Sequence, residues 1–270
     1  MPELPEVETT RLGLEPLLVG QRITGADVRQ RKLRWPVDTE LASQLRDQSV
    51  RSVTRRGKYL LVTIESGALL IHLGMSGSLR FLPEAQAPSL HDHIDLLFAS
   101  GAQLRFNDPR RFGSMHFSVN PHDHWLLRDL GPEPLAKGFS ADYLWKISRG
   151  RRIAIKQLLM NGRIVVGVGN IYASEGLFRA GIHPRRAAGR IARCRYGLLI
   201  DAVKAVLDEA IRAGGTTLRD FSDGDGRPGY FQRELLVYGR EGEPCVRCAT
   251  SIIKRVLGQR ATFYCPSCQR

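Results

Sequence analysis

Four cysteines near the carboxyl end constrain this chain more than any other feature. Cys245-x2-Cys248 is followed, after sixteen residues, by Cys265-x2-Cys268. Two such pairs set four thiolates on two tight turns, the spacing of a tetrahedral structural zinc site. A segment of this size cannot build a core large enough to fold alone, so the metal supplies the folding energy. Between the pairs, Ile252, Ile253, Val256 and Leu257 read as short antiparallel strands. Iron or a redox dithiol are the alternatives for such a thiol set. With four thiolates no coordination position is left for catalysis, and the zinc is expected to be structural. The fifth cysteine, Cys194, stands alone in a helical stretch and reads as a buried or inert thiol.

The charge balance comes next. Lys and Arg number 40 against 27 Asp and Glu, a formal net charge of +13. A chain this basic points to a polyanionic partner, most often nucleic acid, against the alternative of a scattered positive surface. The 270 residues suffice for two domains and a small appendage. No run of 18 apolar residues offers a membrane span. The amino terminus, acidic and proline-bearing, is wrong for a signal peptide, so a cytoplasmic location is expected.

That amino terminus, Met1-Pro-Glu-Leu-Pro-Glu-Val-Glu8, has its own chemistry. Removal of Met1 would leave Pro2 as a free secondary amine titrating near pH ~8. Such an amine attacks an anomeric carbon to give an iminium ion, an electron sink for elimination. Glu3 beside it and Glu6 one turn later can protonate a sugar oxygen and steady a cation. The plainer reading is an ordinary helix start, with Pro5 in the first turn and acids complementing the dipole.

The spacing predicts a helix over 5–19, with Val7, Leu12, Leu14, Leu17 and Leu18 as its apolar stripe and Gly20 as terminator. Strands are expected at 23–29, 50–56, 59–65, 68–73, 78–82, 93–98, 102–106 and 114–118, with turn signals at Arg56-Gly57, Ser66-Gly67 and Ser100-Gly101. Many short strands imply a two-layer β-sandwich, and 83–91 reads as a loop. Helices follow at 140–148, 152–160, 170–180 and about 190–213. The class is therefore α+β, multi-domain. Boundaries are expected at 1–120 (β-sandwich), 121–139 (linker), 140–235 (helical) and 236–270 (zinc finger). Asn170, after the Gly-rich 165–169, reads as an N-cap, and the helix start behind it is either a phosphate site or a plain turn. His91-Asp92-His93-Ile94-Asp95 reads as surface polar residues on a strand rather than a metal site. His122 and His124 are read the same way. The polar 216–231 reads as a mobile loop.

Seven ordered segments, besides MPELPEVE, carry a resemblance: HLGMSGSLR (72–80), DPRRFG (108–113), VVGVGNIYASE (165–175), GGTTLRDF (214–221), PGYF (228–231), VYGREGEPC (237–245) and QRATFYCPSC (259–268). Over essentially its whole length the chain resembles the bacterial formamidopyrimidine-DNA glycosylases. The resemblance implies a bifunctional repair enzyme, acting as a monomer on damaged duplex DNA, that excises oxidised purines through a proline iminium and then cleaves the abasic site. It implies Pro2, Glu3 and Glu6 as catalytic residues, with Lys58 a phosphate-binding residue close to the reacting sugar. It moves His72, by its surroundings a satisfied core histidine, toward a phosphate contact. Met75 and Phe112, core residues by spacing alone, become wedges for the hole left by an everted nucleotide. The family's Arg-x-Phe spacing selects Arg110 to face the orphaned base. The resemblance also implies a helix–two-turns–helix element with Asn170 on a phosphate, Lys156 in lesion handling, and Arg260 at the hairpin tip in the minor groove. It takes one structural zinc. The rival readings are the related endonuclease VIII class, which prefers oxidised pyrimidines, and a zinc-ribbon DNA-binding protein without catalysis.

Overall fold

The computed structural model describes residues 2–215 and 235–270. The expected loop at 216–231 and the fate of Met1 lie outside the described residues. The chain divides into two compact units. One comprises Met1–Arg128 with the segment that begins at Ala213; the other comprises Asp129–Arg212 with the C-terminal segment ending at Arg270. The division falls inside the stretch expected as a linker, and the C-terminal hairpin belongs to the second unit.

The first unit opens with α1 (Leu4–Leu18). Glu3 and Glu6 close a reciprocal capping box at its start, and Pro5 sits in the first turn, where its missing N–H costs nothing. The buried stripe is Leu4, Val7, Thr10, Leu14 and Leu18, three and four residues apart. Leu12 and Leu17, expected on that stripe, are 49% and 42% exposed, because their angular positions fall outside it, on either side. Gly20 follows the helix at a φ of +87°, as a C-terminal glycine does.

Eight strands follow: β1 (Ile23–Val28), β2 (Ser52–Arg56), β3 (Tyr59–Ile64), β4 (Gly67–His72), β5 (Ser78–Leu82), β6 (Asp92–Phe98), β7 (Gln103–Asn107) and β8 (Ser114–Ser118). They form two four-stranded antiparallel sheets, ordered β1-β6-β7-β5 and β2-β3-β4-β8. Alternate residues of both sheets, such as Leu60, Val62 and Ile64 of β3 and Ile94, Leu96 and Phe98 of β6, share one core with Val7, Leu14 and Leu18 of α1. Each such fully buried side chain stabilises the fold by roughly 1.5–3 kcal/mol. A short helix, α2 (Leu41–Leu45), had no counterpart among the expected elements. It buries Leu41 and Leu45, one turn apart, against β1 and β8.

The polar run on β6 is not a surface feature. Asp92, His93 and Asp95 are each at most 3% exposed. Arg105 of β7, directly opposite Asp95, binds it through Nε and Nη2 at 2.9 and 2.8 Å, and Arg29 adds a further bond at 3.0 Å. Burial pushes the Asp92 carboxyl up. Hydrogen bonds from Ser89 and Asn107 and the charge of Arg80 outweigh this, holding it at about 2. Buried charges must be paired, and the partners come from non-local strands.

In the second unit α3 (Ala141–Ser148), α4 (Ile155–Leu159), α5 (Asn170–Arg179) and α6 (Arg193–Arg212) surround their own core. Tyr196, Leu199, Val203, Val206 and Ala210 form the buried stripe of α6, which packs on α3 and α5. Ser140 caps α3, its Oγ accepting from Tyr143 N at 3.2 Å. Between α4 and α5 the chain makes two turns around Asn161, whose carbonyl accepts from Ile164 N and Val165 N. The hairpin β9 (Ile253–Leu257) and β10 (Arg260–Tyr264) pairs Arg260 with Leu257 at its tip. Its inner residues Ile252 and Phe263 pack with Phe178 of α5 and Val237. Cys194 is exposed in the first turn of α6, so of its two readings burial does not hold. Among the described residues no helix is long and apolar enough to cross a membrane.

Candidate active site and nucleic-acid interface

Pro2, Glu3 and Glu6 are all buried at the amino end of α1. The Glu3 backbone N–H donates to Glu6 Oε2 at 2.7 Å, which fixes the Glu6 side chain back toward Pro2. Both carboxylates lie at the positive end of the helix dipole, where negative charge is complemented. Gly215 lies against the Glu6 side chain. A second set of contacts ties α1 to the turn that carries Lys58. Glu8 accepts from Arg11 Nε at 2.8 Å and from Arg55 Nε at 2.7 Å, and Arg55 Nη1 donates to the Gly57 carbonyl at 2.9 Å.

Lys58 and His72 come together through sheet register. Tyr59 at the start of β3 pairs with His72 at the end of β4, and their rings lie 4.8 Å apart. The His72 Nδ1 accepts from Gly74 N at 2.9 Å, so in the neutral ring Nε2 carries the proton and is a donor. Burial, then the positive charges of Lys58 and Arg34, lower the His72 pKa to about 4. The imidazole is therefore a neutral donor beside cations, a set suited to a phosphate oxygen.

The same turn carries Met75. It is braced against the loop that carries Arg110 and Phe112. Asp108, fully buried, accepts from Ser76 Oγ through Oδ1 at 2.7 Å and from Gly113 N through Oδ2 at 2.7 Å. Ser76 Oγ in turn accepts from Arg110 N at 3.2 Å, and His93 Nε2 lies 2.8 Å from the Asp108 carbonyl. Gly74 has a φ of +64° and presses so closely on Phe112 and Gly113 that a Cβ there would lie 2.4 Å from their backbone. Only glycine fits. Phe112 is 42% exposed, with the Arg110 guanidinium 5.0 Å from its ring. Phe112 is therefore not the core residue that spacing alone would make it.

In the second unit one expectation changes: the N-cap of α5 is Gly169, one residue earlier than expected, and Asn170 is already helical. Its Nδ2 donates to the Ala261 carbonyl at 3.0 Å and to Tyr238 Oη at 3.4 Å, joining α5 to the hairpin. Lys156, which the resemblance assigns to lesion handling, is 1% exposed. Its ammonium donates to Thr262 Oγ1 at 2.8 Å and the Ala261 carbonyl at 3.1 Å. It positions the strand that carries Arg260, which is itself exposed.

Sequence reasoning missed Asp108, Ser76 and Glu175. The Glu175 carboxylate, 1% exposed, accepts from the backbone N–H groups of Leu236, Val237 and Tyr238 at 2.9, 3.0 and 2.8 Å. Burial pushes its pKa up despite those three bonds. An acid in the middle of a helix that is otherwise buried was the available signal.

The Sγ atoms of Cys245, Cys248, Cys265 and Cys268 all lie within 4.8 Å of one another, with separations of 3.9, 3.5 and 3.3 Å among them. A tetrahedron with Zn–S bonds of ~2.3 Å has edges of about 3.8 Å. The four thiolates fit one zinc ion and fill its coordination, so the site is structural.

Comparisons with known proteins agree along the chain. Residues 1–115 match the formamidopyrimidine-DNA glycosylase N-terminal domain, 130–222 its H2TH domain, and 242–270 the zinc finger found in FPG and IleRS. The formamidopyrimidine-DNA glycosylases of Alkalilimnicola ehrlichii and Stutzerimonas stutzeri are 58% and 56% identical, with all of each chain covered. A crystal structure of a Lactococcus lactis FPG mutant with a Fapy-dG containing DNA superposes at a TM-score of 0.92, with 34% identity and all of both chains covered. MutM (FPG) from Thermus thermophilus gives 0.90 at 38% identity, covering 99% of this chain and 98% of that one. On fold, motifs and full-length identity, this chain belongs to the formamidopyrimidine-DNA glycosylase family.

Proposed function

We propose that this chain is a bifunctional repair enzyme that excises oxidised purines, 8-oxoguanine and formamidopyrimidines, from duplex DNA and then cleaves the abasic site as a lyase. The observation that carries this reading is the burial of an imino acid and two carboxylates, Pro2, Glu3 and Glu6, at the positive end of α1.

Once Met1 is removed, the Pro2 nitrogen is a secondary amine with a useful neutral fraction near pH ~8. It attacks C1′ of the everted nucleotide. The N-glycosidic bond breaks, its electron pair leaves with the base, and the base takes up a proton. The amine loses its own proton. Glu3 protonates the ring oxygen, the C1′–O4′ bond opens, and an iminium forms between C1′ and Pro2. Glu6 steadies that positive charge. Removal of a C2′ proton sends electrons toward the iminium and expels the 3′ phosphate. A second elimination expels the 5′ phosphate, and hydrolysis frees Pro2, leaving a one-nucleotide gap.

Lys58, His72, Asn170 and Arg260 hold backbone phosphates in this scheme. Met75 and Phe112 fill the vacated stack, and Arg110 meets the orphaned base. Lys156 acts through the hairpin it holds. The zinc maintains the finger and takes no part in bond breaking. The expected setting is the bacterial cytoplasm, on nucleoid DNA, with the enzyme acting as a monomer.

Borohydride trapping on a duplex with 8-oxoguanine opposite cytosine tests the reading, alongside Pro2→Gly and an intact-mass check for Met1. A covalent adduct from the processed wild type that weakens in the variant supports it. Tight binding with no adduct from a chain lacking Met1 would sink the lyase assignment. A thymine glycol duplex run in parallel separates the purine enzyme from the endonuclease VIII class.

A further inference from the structure

His116 stands in the middle of β8, between Met115 and Phe117, which point into the core shared by the two sheets. Its ring therefore lies on the outer face of its sheet, in one row with Leu70 of β4 and Leu61 of β3. Among the described residues its Nε2 is buried and has no hydrogen-bond partner. A buried polar atom is normally answered by protein, by water or by an ion. The two leucines of its row offer it nothing.

The chain then brings a second imidazole to it. After β8 the backbone turns at Pro121–Asp123, and the ring centre of His124 comes to lie 5.6 Å from that of His116. His124, whose sequence setting made it a surface polar residue, is half-buried. Its Nδ1 accepts a long bond from Leu126 N, at 3.3 Å. Trp125 lies 5.5 Å from the His124 ring and 6.2 Å from His116, and Trp35 meets Trp125 edge-on at 5.0 Å. The two indoles stay 38% and 48% exposed, so the cluster reaches the surface.

Burial lowers the His116 pKa and the His124 ring lowers it further, while Asp38 pulls it up. Burial lowers that of His124 as well. Both rings are therefore neutral at pH 7, the form in which imidazole ligates a metal. A metal ~2.1 Å from a ring nitrogen lies about 3.2 Å from the ring centre, so two imidazoles on one ion have centres about 5.2–5.5 Å apart at tetrahedral to trigonal angles. The separation of 5.6 Å is close to that spacing.

We propose that His116 and His124 form a second metal site, separate from the zinc finger, for a divalent transition ion that prefers imidazole, such as Ni2+, Cu2+ or Zn2+. Nε2 of His116 supplies one ligand. His124 supplies the other and gives up its long bond to Leu126 N. Among the described residues the four cysteines are the only group of three or more candidate ligands, so water completes the coordination at the histidine pair. The charge of Asp38, which reaches His116, favours a cation there. A water molecule between the two rings is the competing occupant.

The test uses tag-free protein with zinc already in its finger. Ni2+ is the probe, because it binds imidazole well, leaves the thiolates to zinc and quenches nearby indole fluorescence. Wild type should take up one equivalent of Ni2+ beyond its zinc, counted by inductively coupled plasma mass spectrometry, with saturable quenching of tryptophan fluorescence. Loss of an outer-shell partner alone costs a metal site about 10–100-fold in affinity, so loss of one of two ligands should cost at least about tenfold. His116→Gln and His124→Gln are each expected to weaken Ni2+ binding by at least that factor. His122→Gln, on the same turn but exposed, should leave it unchanged. All three variants should keep their zinc and their melting temperature. Should His116→Gln fail to fold, NMR of the wild type carries the test: Ni2+ should broaden the ring signals of His116 and His124 before those of the other histidines. No second equivalent in wild type, as for a bridging water, overturns the site. So does unchanged binding in the folded glutamine variants, or broadening that spares these two rings.

Discussion

Asp108→Asn isolates the brace between the Met75 turn and the Arg110–Phe112 loop. The carboxylate is fully buried and accepts two bonds, one on each oxygen, from Ser76 Oγ and Gly113 N. An amide of the same shape accepts only one and turns a donor toward a donor. Losing one charge-assisted bond costs about 1.5–3 kcal/mol, and stranding a buried donor adds about 1–3 kcal/mol. Ser76 can rotate its hydroxyl to accept from the new amide, which recovers part of this, so a net loss of about 3 kcal/mol is expected for the first unit. With roughly 2–4 °C per kcal/mol for a unit this large, its melting point should fall by about 10 °C. Ser76→Ala, which removes the link to Arg110 N and the donor to Asp108 Oδ1 but keeps the Gly113 bond, should cost about 1–3 kcal/mol. Calorimetry reads the stability. Excision rates opposite cytosine and adenine read the function, and both variants should narrow the difference between the two partner bases. An Asp108→Asn protein that melts within about 1 °C of wild type and keeps its partner-base preference would refute the argument.

Three further outcomes are expected. By NMR, the His72 ring should titrate near about 4 rather than 6.5, and Lys58→Ala should move the midpoint up by removing a nearby positive charge. The unfolded chain binds a proton near 6.5 and the folded one only near 4. The stability tied to the neutral ring is thus full above about 6.5 and lost as pH falls through that window. A thiol reagent should find one reactive cysteine, Cys194, in the native protein and five after zinc removal, with loss of duplex binding; equal reactivity before and after would contradict the four-thiolate site. Lys156→Met should lower the stability of the second unit by about 2–3 kcal/mol by deleting ammonium bonds to Thr262 and Ala261. It should weaken duplex binding without changing the slope of its salt dependence, because the lysine does not itself meet phosphate. A reduced slope would put Lys156 on the DNA.

Local signals explain which parts of the fold could be read from sequence. All eight strands of the sandwich were legible because short apolar runs, such as 60–62 and 69–71, are bounded by turn pairs such as Ser66-Gly67 and Ser100-Gly101. The helix α2 escaped because five residues cannot display a period; only the buried pair Leu41 and Leu45 marks it. Asp92, His93 and Asp95 looked like surface residues because their partner Arg105 belongs to the neighbouring strand, and strand pairing is a non-local fact. The burial of Lys156 was hidden for a similar reason: the atoms that receive its ammonium bonds lie about a hundred residues away. The zinc site was fully legible, since its ligands come in short-range pairs. Asp108 was not, because an aspartate before a proline looks like any turn.

The contact between Gly74 and the backbone of Phe112 and Gly113 also says where this unit can change length. Two turns that touch backbone to backbone are indexed to each other, so a residue inserted into either would slide Met75 past Phe112. Drift in length should therefore be absent from 72–76 and 108–113 in functional variants. It should collect instead in exposed residues such as 83–85, ahead of the Gln86 and Ala87 carbonyls that Arg105 holds. A peptide tag grafted there should leave excision intact, whereas a single glycine added between Arg111 and Phe112 should abolish it.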